Sequence, residues 1–140
     1  LFDQVSWTGV WSDTRIGTDT VATYDQINSP IECSNDGTIT ERWALIFTNT
    51  TSFQIVGEHL GVVGTGATGS VTEPLNPTNN RPYFSSNPAG FGAGWATGNV
   101  IRFNTVASKA PGWIARTIQQ GPATEDDDSF EITGRADVDA

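Results

Sequence analysis

The stretch Thr38-Ile-Thr-Glu-Arg-Trp-Ala-Leu-Ile-Phe47 decides the fold class. It begins as an alternation of polar and apolar residues and ends continuously apolar, as a strand does when it passes from a half-solvated position into a core. Thr48 to Ser52 is wholly polar and reads as a turn. Phe53-Gln-Ile-Val-Gly-Glu58 then alternates again, so Glu41 to Glu58 predicts a hairpin whose strands are joined by a polar loop.

Working outward, Val100-Ile-Arg-Phe-Asn-Thr105 sets Ile101 and Phe103 on one face and Val100, Arg102 and Asn104 on the other. Trp113-Ile-Ala-Arg-Thr-Ile118 repeats the pattern, and Ala107 to Gly112 between them reads as a hairpin loop. Ser129-Phe-Glu-Ile-Thr-Gly-Arg135 is expected to be a half-solvated antiparallel strand. Val21 to Tyr24 and Pro30 to Cys33 are shorter strand candidates, and Asn35-Asp36-Gly37 is a turn signal. No window keeps apolar residues at helical spacing for three turns, and Gly and Pro recur too often for long helices.

Gly64 to Gly98 differs from its flanks, being rich in Gly, Pro, Asn, Ser and Thr. A structureless loop of that length is uncommon inside a compact domain. It reads as a long crossover pinned to the core by Tyr83, Phe84, Phe91 and Trp95, in preference to a functional or interface loop. Short strands, regular turns and this crossover together predict an all-β fold: a single antiparallel β-sandwich domain over 1–140, jelly-roll-like, with a long Gly/Pro-rich crossover loop.

Composition narrows the function. A chain of 140 residues can bury roughly two thirds of its unfolded surface, so a core is expected without disulfides or metals. The net charge of -9 and the scatter of the seven basic residues argue against nucleic acid and anionic lipid as partners. The longest apolar runs, Trp43 to Phe47 and Leu60 to Val63, are far short of the roughly 20 residues a membrane helix requires. The single cysteine, Cys33, leaves no intrachain disulfide and no Cys-x-x-Cys zinc site. With no methionine anywhere and no signal-peptide pattern, the chain reads as a piece of a longer one.

Motifs for catalysis are lacking. The one histidine, His59, follows Glu58 at a strand end, where an exposed structural role is expected over a catalytic one. Gly61 to Gly69 has glycines but no following Lys-Ser/Thr to make a phosphate loop. Paired carboxylates for glycoside hydrolysis are easy to imagine among sixteen acidic residues, and a solvated surface is the favoured reading. The run Glu125-Asp-Asp-Asp128 does not match a calcium loop; a turn salt-bridged to Arg102, Arg116 or Arg135 is expected there. No cofactor and no metal site are therefore expected.

Five tryptophans raise a sugar-binding reading, because flat aromatic faces stack on pyranose rings. Trp43 and Trp113 lie in predicted strands and read as core or sheet-face residues, whereas Trp7, Trp11 and Trp95 are the candidates for exposure. Tyr83 and Phe91 complete the set of candidate ligand-binding or interface residues.

The segments Trp11-Ser-Asp-Thr-Arg-Ile-Gly-Thr-Asp-Thr-Val-Ala-Thr-Tyr-Asp25, Ile39 to Phe47, Gly94 to Thr105 and Trp113 to Pro122 resemble a β-rich module of large virion proteins of tailed bacteriophages and prophages. The likeness spans nearly the whole chain and carries no catalytic signature. It implies a non-enzymatic structural or host-contacting module of the tail or its tip. Other virion proteins and further copies of the chain would be its partners, with a bacterial surface polysaccharide as the alternative ligand. Its place would be the virion, extracellular after release.

Overall fold

The computed structural model describes residues 1, 4–9, 11–12 and 17–107. Seven strands run in the order β1 (Gln4–Ser6), β2 (Glu41–Phe47), β3 (Ser52–Gly57), β4 (Gly61–Ala67), β5 (Leu75–Asn76), β6 (Arg81–Pro82) and β7 (Asn99–Thr105). The only helical element among the described residues is one 3-10 turn, Pro88–Gly90, capped by the Asn87 side chain. The fold is thus all-β. Every pairing is antiparallel, in an open five-stranded sheet of order β1-β7-β2-β3-β4 and a small β5-β6 ribbon.

The predicted hairpin is β2 and β3. Its register sets Trp43 opposite Gly57, Leu45 opposite Ile55 and Phe47 opposite Phe53. Strand β7 lies on the other side of β2, with Trp43 opposite Phe103 and Leu45 opposite Ile101. Because side chains alternate, Trp43, Leu45, Phe47, Phe53, Ile55, Ile101 and Phe103 share one face. All seven are buried.

The chain from 68 to 98 covers that face. Phe47 and Trp95 stack with ring centroids 4.3 Å apart and planes 3° from parallel. Trp43 meets Tyr83 at 5.3 Å and Phe84 at 5.2 Å, and Phe84 stands edge-on to Phe103 at 4.9 Å. Phe53 stacks on Phe91 at 5.4 Å. Tyr83, Phe84, Phe91 and Trp95 therefore pin the crossover to the core, as their spacing predicts. On the opposite face Ala44, Val100 and Arg102 are also buried, so the middle of the sheet is covered on both sides.

Two expectations are corrected. Gly64 to Ala67 belongs to strand β4, so the crossover begins only after it. This strand lacks a periodic signal because three of its seven residues are glycine, and Val63 is the one that packs against the core. Ile55 faces Gly64 while Val56 faces Val62, which leaves Val63 as the extra residue of a bulge. Val21 to Tyr24 and Pro30 to Cys33 form no strands; each contributes one isolated bridge, Tyr24 with Phe91 and Glu32 with Ser85. Arg102 is buried in β7, and the acidic run expected to pair with it lies outside the described residues. The predicted strands at 113–118 and 129–135, the hairpin loop at 107–112 beyond Ala107 that leads from 100–105 to the first of them, and the acidic run at 125–128 lie outside the described residues.

Gly66 is required by packing. A Cβ there would lie 2.5 Å from Phe53 Cε2 and 2.7 Å from Thr72 Oγ1, whereas one at Gly64 would meet nothing within 4 Å. Gly66→Ala is expected to lower the unfolding free energy by about 1–3 kcal/mol. Gly64→Ala is expected to change it by less than about 0.5 kcal/mol. Urea unfolding of the two variants checks the contrast, and equal effects would refute it.

Candidate functional site

The β2–β3 register continues past the last ladder pair. Trp43 opposite Gly57 places Arg42 beside Glu58 and Glu41 beside His59. The Glu58 N–H donates to the Arg42 carbonyl at 2.9 Å, which carries the pairing one step further. Two cross-strand ion pairs thus arise from one register.

Arg42 and Glu58 meet in a two-point contact. Arg42 Nη2 donates to Glu58 Oε1 at 2.8 Å and Nε lies 2.7 Å from Oε2. Glu41 shares the core face with Trp43, and its side chain is 1% exposed. Its carboxylate is held by three donors: the Arg42 N–H at 2.8 Å and His59 Nδ1 at 3.0 Å on Oε1, and the His59 N–H at 3.1 Å on Oε2. Room for this carboxylate depends on Gly57, where a Cβ would stand 3.2 Å from both Glu41 Oε2 and Trp43 Cζ3.

His59 itself is open to solvent, with 77% of its side chain exposed. The pair borders a cleft of about 320 Å³ also lined by Thr40, Asn104, Thr105 and Val106. Both hydroxyls in that cleft are engaged: Thr40 Oγ1 accepts the Ala107 N–H at 3.0 Å, and Thr105 Oγ1 donates to the Ile39 carbonyl at 2.6 Å. Beside it the Trp11 ring lies 6.0 Å from the Arg42 guanidinium carbon. Trp7 packs edge-on against Trp11 at 5.4 Å.

The five aromatic candidates therefore separate. Trp7 and Trp11 are half-buried neighbours at the Arg42–Glu58 pair. Trp95 is buried in the core, which corrects its expected exposure: the Gly94 backbone, at φ 98°, turns the following ring inward onto Phe47. Tyr83 is buried against Trp43, and Phe91 is half-buried between Tyr24 and Phe53. Glu41 and Arg42, which carry the site with Glu58 and His59, are not singled out by residue type. The signal for them is the hairpin register, in which paired residue numbers sum to 100.

Electrostatics tie the pair together. Burial works against the charge on Glu41, but the hydrogen bonds from His59 and from the Arg42 and His59 N–H groups outweigh it and hold the carboxyl below its ordinary 4.5. The hydrogen bond to Glu41, with its negative charge, raises the His59 imidazole above 6.5. The contribution of His59 to stability is complete below pH 6.5 and is lost as pH rises through its raised value. That of Glu41 is complete above pH 4.5 and is lost as pH falls through its lowered value. An NMR titration is expected to place the His59 midpoint above 6.5. Glu41→Gln is expected to lower that midpoint, and an unchanged one would sever the pair. No protein family, curated protein or solved structure matches the chain.

Proposed function

We propose that the chain is a non-enzymatic structural module of a tailed-phage virion protein, of β-sandwich, jelly-roll-like build. It works by packing against other virion proteins and further copies of itself in the tail or baseplate. The observation that carries this reading is the inward turn of Tyr83, Phe84 and Trp95, which makes the long irregular segment a cover for the sheet. A segment built that way serves as scaffold. The resemblance to phage virion modules, carried by the segments quoted above, supplies the setting.

A second reading has its own observation. Trp7 and Trp11 lie beside a charged pair and a polar cleft, the combination in which an aromatic face stacks on a sugar while polar groups bind its hydroxyls. The ligand in that case is a bacterial surface polysaccharide.

One pair of measurements separates them. Light scattering on the purified chain is expected to show concentration-dependent self-association that Trp11→Ala leaves unchanged, and no tryptophan quenching by host polysaccharide. A monomer at all concentrations, quenched by the polysaccharide and released from quenching by Trp11→Ala, would replace the first reading with the second.

A further inference from the structure

We propose that the end of the β2–β3 hairpin is a binding site for a divalent transition-metal ion of the zinc class, with the carboxylates of Glu41 and Glu58 and Nδ1 of His59 as its protein ligands. This goes beyond the structural role and departs from the absence of a metal site expected from the sequence.

Geometry is the first argument. One ligand atom from each of the three side chains lies within 4.8 Å of the others. Nδ1 of His59 and Oε1 of Glu41 are 3.0 Å apart. Two ligands of a tetrahedral zinc ion, with bonds of about 2.0–2.1 Å, stand about 3.3 Å from each other, so this edge of the site is nearly formed. Glu58, whose side chain is partly exposed, has to turn, and the exposed His59 ring has to swing its Nδ1 off the line to Glu41 Oε1 and onto the ion.

Pre-organisation is the second. The Glu41 carboxylate is buried and fixed by two backbone N–H groups, and it cannot swing away to solvent. His59 stands at the mouth, so an ion arrives from water without displacing core packing. The cleft of about 320 Å³ beside the pair leaves space for the water molecules that complete the coordination shell.

Charge and ligand type are the third. With a neutral imidazole, Glu41 and Glu58 outweigh Arg42 by one negative charge, and the chain carries -9 overall. An imidazole with two carboxylates suits zinc and its neighbours in the first transition row, whereas calcium and magnesium select all-oxygen sites. On binding, an imidazolium loses its Nδ1 proton to solvent, while a neutral ring exchanges its Nδ1 proton for one on Nε2 through water, so that in both cases a neutral imidazole ligates the metal through Nδ1. Glu58 gives up part of its two-point contact with Arg42, so the guanidinium competes with the ion for the same carboxylate.

That competition makes the proposal testable in both directions. The experiment uses the full chain carrying Cys33→Ser, since the exposed thiol would bind zinc by itself. Calorimetric titration with Zn²⁺ is expected to give one ion per chain with a Kd below about 100 µM. His59→Ala, at a solvent-exposed side chain, is expected to weaken binding by about tenfold or more, as is Glu41→Gln. Arg42→Gln is expected to tighten it. Co²⁺ is expected to show a ligand-field absorption that His59→Ala removes, since the chain has no other histidine. No saturable binding, or binding unchanged by His59→Ala, would overturn the site. Weaker binding in folded Arg42→Gln would remove Glu58 from the ligand set. Should Glu41→Gln fail to fold by circular dichroism, His59→Ala decides alone.

Discussion

The Trp43 indole is the contact on which the other parts of the structure converge. It is fully buried on the central strand, with Tyr83 and Phe84 of the crossover against its ring. A buried indole N–H left unpaired would cost about 1–3 kcal/mol. Here it donates to Thr105 Oγ1 at 2.9 Å, and the same hydroxyl donates onward to the Ile39 carbonyl. One ring thereby ties β2 to β7, to the segment that enters β2, and to the covering layer. The stack of Phe47 on Trp95 repeats the arrangement at the far end of the strand.

The site follows from the same strand. Alternation that sends Trp43 into the core sends Glu41 to the same face two residues earlier, where water cannot solvate its charge. A buried carboxylate is tolerated only when its lone pairs are satisfied, and the register supplies His59 opposite it for that purpose. Gly57 closes the arrangement, because both the Trp43 ring and the Glu41 carboxylate occupy the place of its missing side chain. Core packing and the acidic end of the hairpin are thus not independent features.

Most of this architecture was legible where side chains declare a period. The β2–β3 hairpin, β7 and the aromatic pins of the crossover all carry apolar residues at alternating or isolated inward positions. Strand β4 was not legible, because three of its seven residues are glycine and the bulge at Val63 breaks what alternation remains. Trp95 stood both among the pins of the crossover and among the candidates for exposure, and its burial, just after a glycine at positive φ, decides for the first. The site escaped a reading by residue type because Glu41 and His59 are eighteen positions apart. Counting the hairpin register outward from its loop would have joined them. Trp7 and Trp11 were found as residues, but their partner Arg42 could be found only in three dimensions.

Arg42 is the joint between the two halves of the candidate site. Its guanidinium clamps Glu58 on one side and carries the Trp11 ring on the other. A ligand that draws Glu58 away must therefore disturb the support of Trp11, and one that stacks on Trp11 must alter the hold on Glu58. Such coupling is reciprocal by thermodynamic necessity: if a cation bound by the carboxylates changes the affinity of the aromatic pair for a partner, that partner changes the affinity for the cation by the same factor.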